Sequence, residues 1–224
     1  PLSPQFYLKC HLIWLTVQSL VFCGESLIIL FMEILGKMLG SGARVKIMRL
    51  FLLNKNKGFL SKDIARRSRV NIDLVRRELK LLQSIGFIKK RLNDFIFNYG
   101  FKYAGEIEGL LVTAESLSKE AILDNFKKIG RVKLFVISGI FIKNKDSRVD
   151  LLIVGNKMKK GQIEEGIRRL EAEIGTELSY AVFETKEFIY RLNMYDKLIR
   201  DILDFPHEVV LQAKELSTQT LKKG

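Results

Sequence analysis

The side chains best equipped for chemistry in this chain are cations gathered in one place. Between Ala43 and Arg91 there are fifteen Lys or Arg against three acids, Asp63, Asp73 and Glu78. That one segment carries almost all of the net charge of +13, and the rest of the chain is close to neutral. Arginine presents a planar fork of donors that fits phosphate oxygens and the guanine edge, and lysine supplies a point charge. A basic block this compact, with regular apolar residues between its charges, implies a folded positive surface. Its expected partner is the phosphate backbone of double-stranded DNA.

Other reactive groups are sparse. The chain has two histidines, His11 and His207, and two cysteines, Cys10 and Cys23. That supply argues against a His- or Cys-based metal centre, a catalytic triad and a disulfide framework, and suits a reduced cytoplasmic protein. No metal or cofactor is expected. The stretch Gly155 to Gly161 (GNKMKKG) matches no phosphate-loop pattern and is expected to be a plain turn before a helix.

Helical and strand periodicities show what must position the cations. Ala43 to Leu53 carries Val45, Met48 and Leu52 at helical spacing, with Ile47 and Phe51 widening the stripe, and predicts a core helix. Asn54 to Gly58 is a polar turn. Ser61 is placed to cap a short second helix containing Ile64, Ala65 and Arg67, and Asn71 to cap a third. The third helix is expected to stop at Gly86 in the left-handed conformation. Along it Ile72, Val75, Leu79, Leu82 and Ile85 are expected to face inward. Asp73, Arg76, Arg77, Lys80 and Ser84 form a single outward stripe. Phe87 to Leu92, a turn at Asn93-Asp94, and Phe95 to Tyr99 read as a hairpin with Lys89, Lys90 and Arg91 on its first strand.

The segments GSGARVKIMRLFLLN and LSKDIARRSRVNIDLVRRELKLLQSIGFIKKR, with Val75-x-x-Glu78-Leu79-x-x-Leu82 leading to Gly86-Phe87-Ile88, resemble the winged helix-turn-helix of small prokaryotic regulators of the ArsR/MarR kind. The likeness spans Leu39 to Tyr99. It implies that the third helix enters the major groove and that the hairpin meets the minor groove or flanking backbone. The expected DNA-binding residues are Arg66, Arg67, Asn71, Arg76, Arg77, Lys80, Lys89, Lys90 and Arg91. A homodimer is expected, because one recognition helix reads few bases.

From Lys119 onward the pattern alternates. Helix is expected over Lys119 to Ile129, Lys160 to Ile174 and a long Lys186 to Leu203. Strands are expected over Val132 to Ile142, Val149 to Gly155, Leu178 to Phe183 and Glu208 to Leu211. The order describes a compact α/β or α+β domain. Ser138-Gly139 followed by DSRVDLLIV (Asp146 to Val154) is similar to the minimal nucleotidyltransferase fold, over Lys119 to Leu211. In that family closely placed carboxylates hold two Mg²⁺ on the triphosphate. Here Arg148 falls on the first metal-binding Asp, only Asp150 remains, and Glu177 and Glu184 merely flank the third strand. The resemblance therefore implies a degenerate site of Ser138, Gly139, Arg148 and Asp150 without catalysis. Asp150 then serves either structure, or an anion pocket in which Arg148 meets phosphate directly.

The first residues hold an apolar run, Leu12 to Phe31, interrupted by Glu25. Three readings stay open for it: a translated leader ahead of Met32, a packed helix, or a membrane segment, of which the last is not the favoured one. The expected organisation is 1–31 leader or helix, 32–104 winged-helix domain, 105–118 linker, 119–212 degenerate nucleotidyltransferase-like domain and 213–224 polar tail. The fold class is α+β: an N-terminal winged helix-turn-helix, then a small α/β domain with a mixed sheet. The expected function is a DNA-binding transcriptional regulator whose second domain senses a nucleotide or other anion or makes the dimer. The alternative is an active nucleotidyltransferase, or an antitoxin-type protein acting on nucleotide or nucleic acid.

Overall fold

The computed structural model describes residues 34–112, 119–144 and 146–216; the run Leu12 to Phe31 lies outside them. The architecture is α+β with a two-stranded hairpin and a separate four-stranded mixed sheet. Among the described residues no helix is long and apolar enough to cross a membrane.

After a helical run over 34–39, the N-terminal half contains α1 (Gly42–Leu53), α2 (Ser61–Ser68) and α3 (Ile72–Ser84), followed by β1 (Ile88–Arg91) and β2 (Asp94–Phe97). Val45, Phe51, Ile64, Val75, Leu79, Leu82 and Phe87 share one core cluster. Aromatic edge-to-face pairs brace it: Phe51 meets Phe59 at 5.7 Å between centroids and Phe87 meets Phe97 at 5.4 Å. Phe59 also exchanges two backbone hydrogen bonds with Phe95, each 2.9 Å, which ties the α1–α2 loop to the hairpin.

The boundaries mostly follow the sequence pattern, with instructive exceptions. Ser61 is not a cap: Leu60 takes that position without a side-chain bond, and Ser61 lies within α2. Asn71 does cap α3, accepting from the Asp73 amide at 2.8 Å. Gly86 has φ +77, and the Phe87 and Gly86 amides donate to the carbonyls of Leu82 and Gln83. That reciprocal pair is the Schellman arrangement. Ile85, expected inward, is 52 % exposed, because it sits on the cap beyond the last full turn while Leu82 and Phe87 fill the core. The hairpin turn is Leu92-Asn93 rather than Asn93-Asp94, since Arg91 pairs with Asp94 and Leu92 takes φ +54. Residues expected to begin a linker instead form α4 (Ala104–Leu111), whose Leu111 packs into the first core.

The C-terminal half contains α5 (Lys119–Asp124), β3 (Arg131–Ile137), β4 (Leu151–Asn156), α6 (Lys160–Ile174), β5 (Tyr180–Glu184), α7 (Thr185–Asn193), α8 (Lys197–Asp204) and β6 (Glu208–Gln212). The sheet order is β5-β4-β3-β6, with β4 and β5 parallel and the other pairs antiparallel. Side chains alternate across each strand, so the two faces enter different cores. Phe135, Ile137, Leu151 and Ile153 pack with Ile163, Ile167 and Leu170 of α6. Leu134, Val136, Leu152 and Val154 pack with Phe188 and Leu192 of α7 and Ile199 and Ile202 of α8. Two helical layers therefore cover the sheet, which is why β3 and β4 are apolar at consecutive positions.

Two expected elements are divided. The first strand ends at Ile137, and Gly139–Ile142 is a 3-10 turn entered through Gly139 at φ +56. The long helix over 186–203 breaks at Tyr195, φ +56, after which Asp196 accepts from the amides of Leu198 and Ile199 to start α8 afresh. Helix α5 also stops earlier than expected, at Asp124.

The halves meet through a polar joint. Arg49, 6 % exposed, donates from Nε to the Leu111 carbonyl at 2.6 Å and from Nη1 to the Glu173 carbonyl at 3.0 Å. Asn54, expected in a solvated turn, is buried and donates to the Gly175 carbonyl at 2.9 Å. The C-terminal end of α6 thus receives donors from α1, where its last carbonyls lack helical partners and its dipole favours a cation. Gly175 has φ +94, and a Cβ there would lie 2.9 Å from the Arg49 backbone, so close approach requires glycine.

Candidate nucleic-acid interface

Helix α3 separates its faces as amphipathic spacing demands. Val75, Leu79 and Leu82 are buried, while Arg76, Arg77 and Lys80 are exposed. Glu78 breaks the simple pattern: it is buried at 5 % and accepts from Arg44 Nε at 2.7 Å. An acid in an otherwise basic block thereby anchors α3 to α1. Arg76 pairs with Asp73 one turn back at 3.0 Å, with both side chains open to solvent, an arrangement worth little energetically.

Lys89, Lys90 and Arg91 are all exposed on β1. Strand alternation puts Lys89 and Arg91 on one face of the hairpin and Lys90 on the other. The oxygen of Asn71 is engaged by the α3 cap. Arg66 points outward and pairs with Asp63 at 3.1 Å.

The remaining cations are divided by the tertiary structure in a way the sequence does not disclose. Arg67 turns toward the C-terminal half, meeting Glu177 at 2.7 Å with its guanidinium over the Phe59 ring. Arg69, at the left-handed end of α2, pairs with Glu165 at 2.6 Å. Lys46 reaches Glu173 at 2.6 Å and Lys55 reaches Glu108 at 2.6 Å. Among the described residues, Lys57, Lys62, Arg77, Lys80, Lys89, Lys90 and Arg91 make no ion pair. Most of them lie on α2, α3 and β1, which follow one another directly in the chain. Cross-half partners such as Glu165, Glu173 and Glu177 show no signal in the sequence near the residues they neutralise.

The second constellation is brought together and used structurally. Asp150 Oδ1 accepts from the Ile140 amide at 2.9 Å, and Oδ2 accepts from the Ser179 amide at 2.8 Å. The Ser138 hydroxyl donates to the Val149 carbonyl. A Cβ on Gly139 would stand 2.1 Å from Asp150 Oδ1. These bonds knit the end of β3, the 3-10 turn and the entry to β5. Arg148 pairs with Asp201 of α8 at 2.9 Å. Of the two readings of Asp150, the geometry favours the structural one. Among the described residues no group of three or more His, Cys, Asp or Glu is placed to hold a metal ion.

A cleft of about 570 Å³ near the start of β3 is lined by Phe126, Val132 and Leu211 and by Lys127, Arg131 and Lys133. Lys133 is paired with Glu215 and Lys127 with Asp124 at 2.7 Å. Sequence reasoning did not single this cleft out, because its lining comes from separated elements.

No protein-family model, no curated protein and no solved structure matches the chain.

Proposed function

We propose that the protein binds double-stranded DNA as a transcriptional regulator, through a winged helix-turn-helix formed by α1, α2, α3 and the β1–β2 hairpin. The observation that carries this reading is the set of exposed cations without acidic partners on α3 and β1, Arg77, Lys80, Lys89, Lys90 and Arg91. Helix α3 keeps Val75, Leu79 and Leu82 in the core and exposes Arg76, Arg77 and Lys80 together with Leu74 and Leu81, so a groove can accept its outer face without disturbing the fold. Lys89 to Arg91 sit beside it on a hairpin able to follow the flanking backbone. A single helix reads too few bases for useful specificity, so two copies on a pseudo-palindromic site complete the proposal.

In this proposal the mixed-sheet half is a nucleotidyltransferase-like domain that no longer catalyses transfer and serves sensing or dimerisation. Support comes from Asp150, whose two oxygens are both spent on backbone amides, and from Arg148, engaged by Asp201. An anionic effector would find its cations in the cleft at Arg131.

The test is duplex binding by fluorescence anisotropy across a salt series. Affinity should fall steeply with salt, with a log–log slope of about −0.9 per phosphate contact. Arg76→Ala and Arg77→Ala should each cost about 1–3 kcal/mol and blur site preference if they read base edges. Lys89→Ala and Lys90→Ala should weaken all sequences alike and flatten the slope by about one unit per lost contact. If the Arg76/Arg77 double variant binds as tightly as the parent at moderate salt, α3 is not the recognition element.

A further inference from the structure

The DNA-facing half does not present all of its cations. Arg69 lies in the turn that joins α2 to α3, and its guanidinium is held by Glu165 on α6. Arg67, two residues earlier on α2, is held by Glu177 just beyond the same helix α6. In a helix-turn-helix the helix before the recognition helix crosses the phosphate backbone. Arg67 and Arg69 therefore belong to the elements that would meet phosphates, yet carboxylates of the other half of the chain occupy them.

We propose that Glu165 and Glu177 are intramolecular competitors of DNA phosphate for Arg69 and Arg67, so that the C-terminal half restrains DNA affinity through these rim ion pairs. The proposal rests on the DNA-binding reading and deepens it. The physical basis is that the pairs lie at the rim of the contact between halves while its centre is fixed. Arg49 and Asn54 hold the end of α6 by hydrogen bonds to the Glu173 and Gly175 carbonyls. The Arg69–Glu165 pair is about two-fifths exposed on both sides. A long arginine side chain can exchange one anion for another there without separating the halves. Exposed pairs are weak, so a phosphate backbone that offers many charges at once can win the exchange. The carboxyl of Glu165 is held below its usual range, first by the hydrogen bond from Arg69, consistent with a formed pair. Any ligand or modification that shifts α6 relative to α2 changes how many cations the DNA finds free.

The experiment measures duplex affinity and salt slope for the full chain and for Glu165→Gln, Glu177→Gln and Glu164→Gln. Glu164 is the control: it is on α6, carries the same charge, and contacts Arg168 of its own helix instead of the N-terminal half. Glu165→Gln and Glu177→Gln should each tighten binding about two- to fivefold beyond Glu164→Gln, as expected for release of a surface pair. Their salt slopes should steepen by about 0.9 for each recruited arginine. In an Arg69→Gln background the Glu165→Gln gain should vanish, since the remaining partner of the carboxylate, Arg168 at 3.7 Å, lies on α6 itself and not on the DNA-facing half. Equal effects of all three Gln variants, or a gain that survives in Arg69→Gln, would overturn the proposal while leaving DNA binding intact. A parent chain that binds no duplex at low salt would overturn both readings together.

Discussion

Arg49→Ala is the perturbation with the largest expected consequence for the whole molecule. The guanidinium is buried, and burial pulls its pKa below the usual arginine range, although it stays charged. It is retained because two carbonyls, those of Leu111 and Glu173, need its donors. Truncation orphans both acceptors, the Glu173 carbonyl across the joint and the Leu111 carbonyl within the N-terminal half, and each buried unsatisfied group costs about 1–3 kcal/mol, for a loss of about 2–6 kcal/mol. Arg49→Met should cost less, because its aliphatic stem keeps the packing of the arginine stem. Asn54→Ala, which removes the bond to the Gly175 carbonyl, should act in the same direction. The assay is urea unfolding followed by circular dichroism together with scanning calorimetry. The parent should unfold in one transition and Arg49→Ala in two, because the joint is what couples the two halves. An Arg49→Ala protein within about 0.5 kcal/mol of the parent, still melting as one unit, would refute the assignment of the joint to these bonds.

Further expectations concern the second half and its acids. Asp150→Ala should destabilise by about 1–3 kcal/mol in chemical denaturation, chiefly by stranding the part-buried Ile140 amide, since Ser179 is open to solvent, with Asp150→Asn milder because one acceptor remains. Gly139→Ala should be comparably harmful in a thermal melt, since it combines positive φ with overlap on Asp150. Purified protein with Mg²⁺ or Mn²⁺ and each nucleoside triphosphate should show no nucleotidyl transfer above background; transfer abolished by Asp150→Ala would reverse that conclusion. The stability advantage of the parent over Glu165→Gln should depend on pH. Because the folded-state pKa of Glu165 is lowered from 4.5, chiefly by the bond from Arg69, the advantage is full above that value and disappears as pH falls through the folded one. A gap between the two melts that persists at the acid end would contradict the pair.

Much of the local structure was legible because local forces dictate it. Asn71 and Gly86 bound α3 through a cap bond and a positive φ, both properties of single residues. The run Lys160–Ile174 forms as its periodicity predicts, since Ile163, Ile167 and Leu170 return to one face. Errors arose where a residue had a second local option. Ser138-Gly139 looks like strand until Gly139 adopts φ +56 and Asp150 gathers the following amide. Tyr195 and Asp196 interrupt an otherwise continuous helical pattern, because a cap bond to two amides competes with helix propagation.

By itself the sequence determined that the positive charge is concentrated between Ala43 and Arg91, that α3 is amphipathic, and that Arg148 stands where the resemblance requires a carboxylate. Which of those charges are free was decided only by tertiary structure. Arg67 and Arg77 are chemically identical and ten positions apart, yet one faces Glu177 across the contact between halves and the other faces solvent. The buried roles of Arg49, Asn54 and Glu78 belong to the same class. Their partners are the carbonyl of Glu173, the carbonyl of Gly175 and the side chain of Arg44, met through the folding of separate elements. Periodicity and capping act within a few residues of the chain. Ion pairing and the satisfaction of buried polar groups act through space, so they exist only once elements distant in the sequence have packed together.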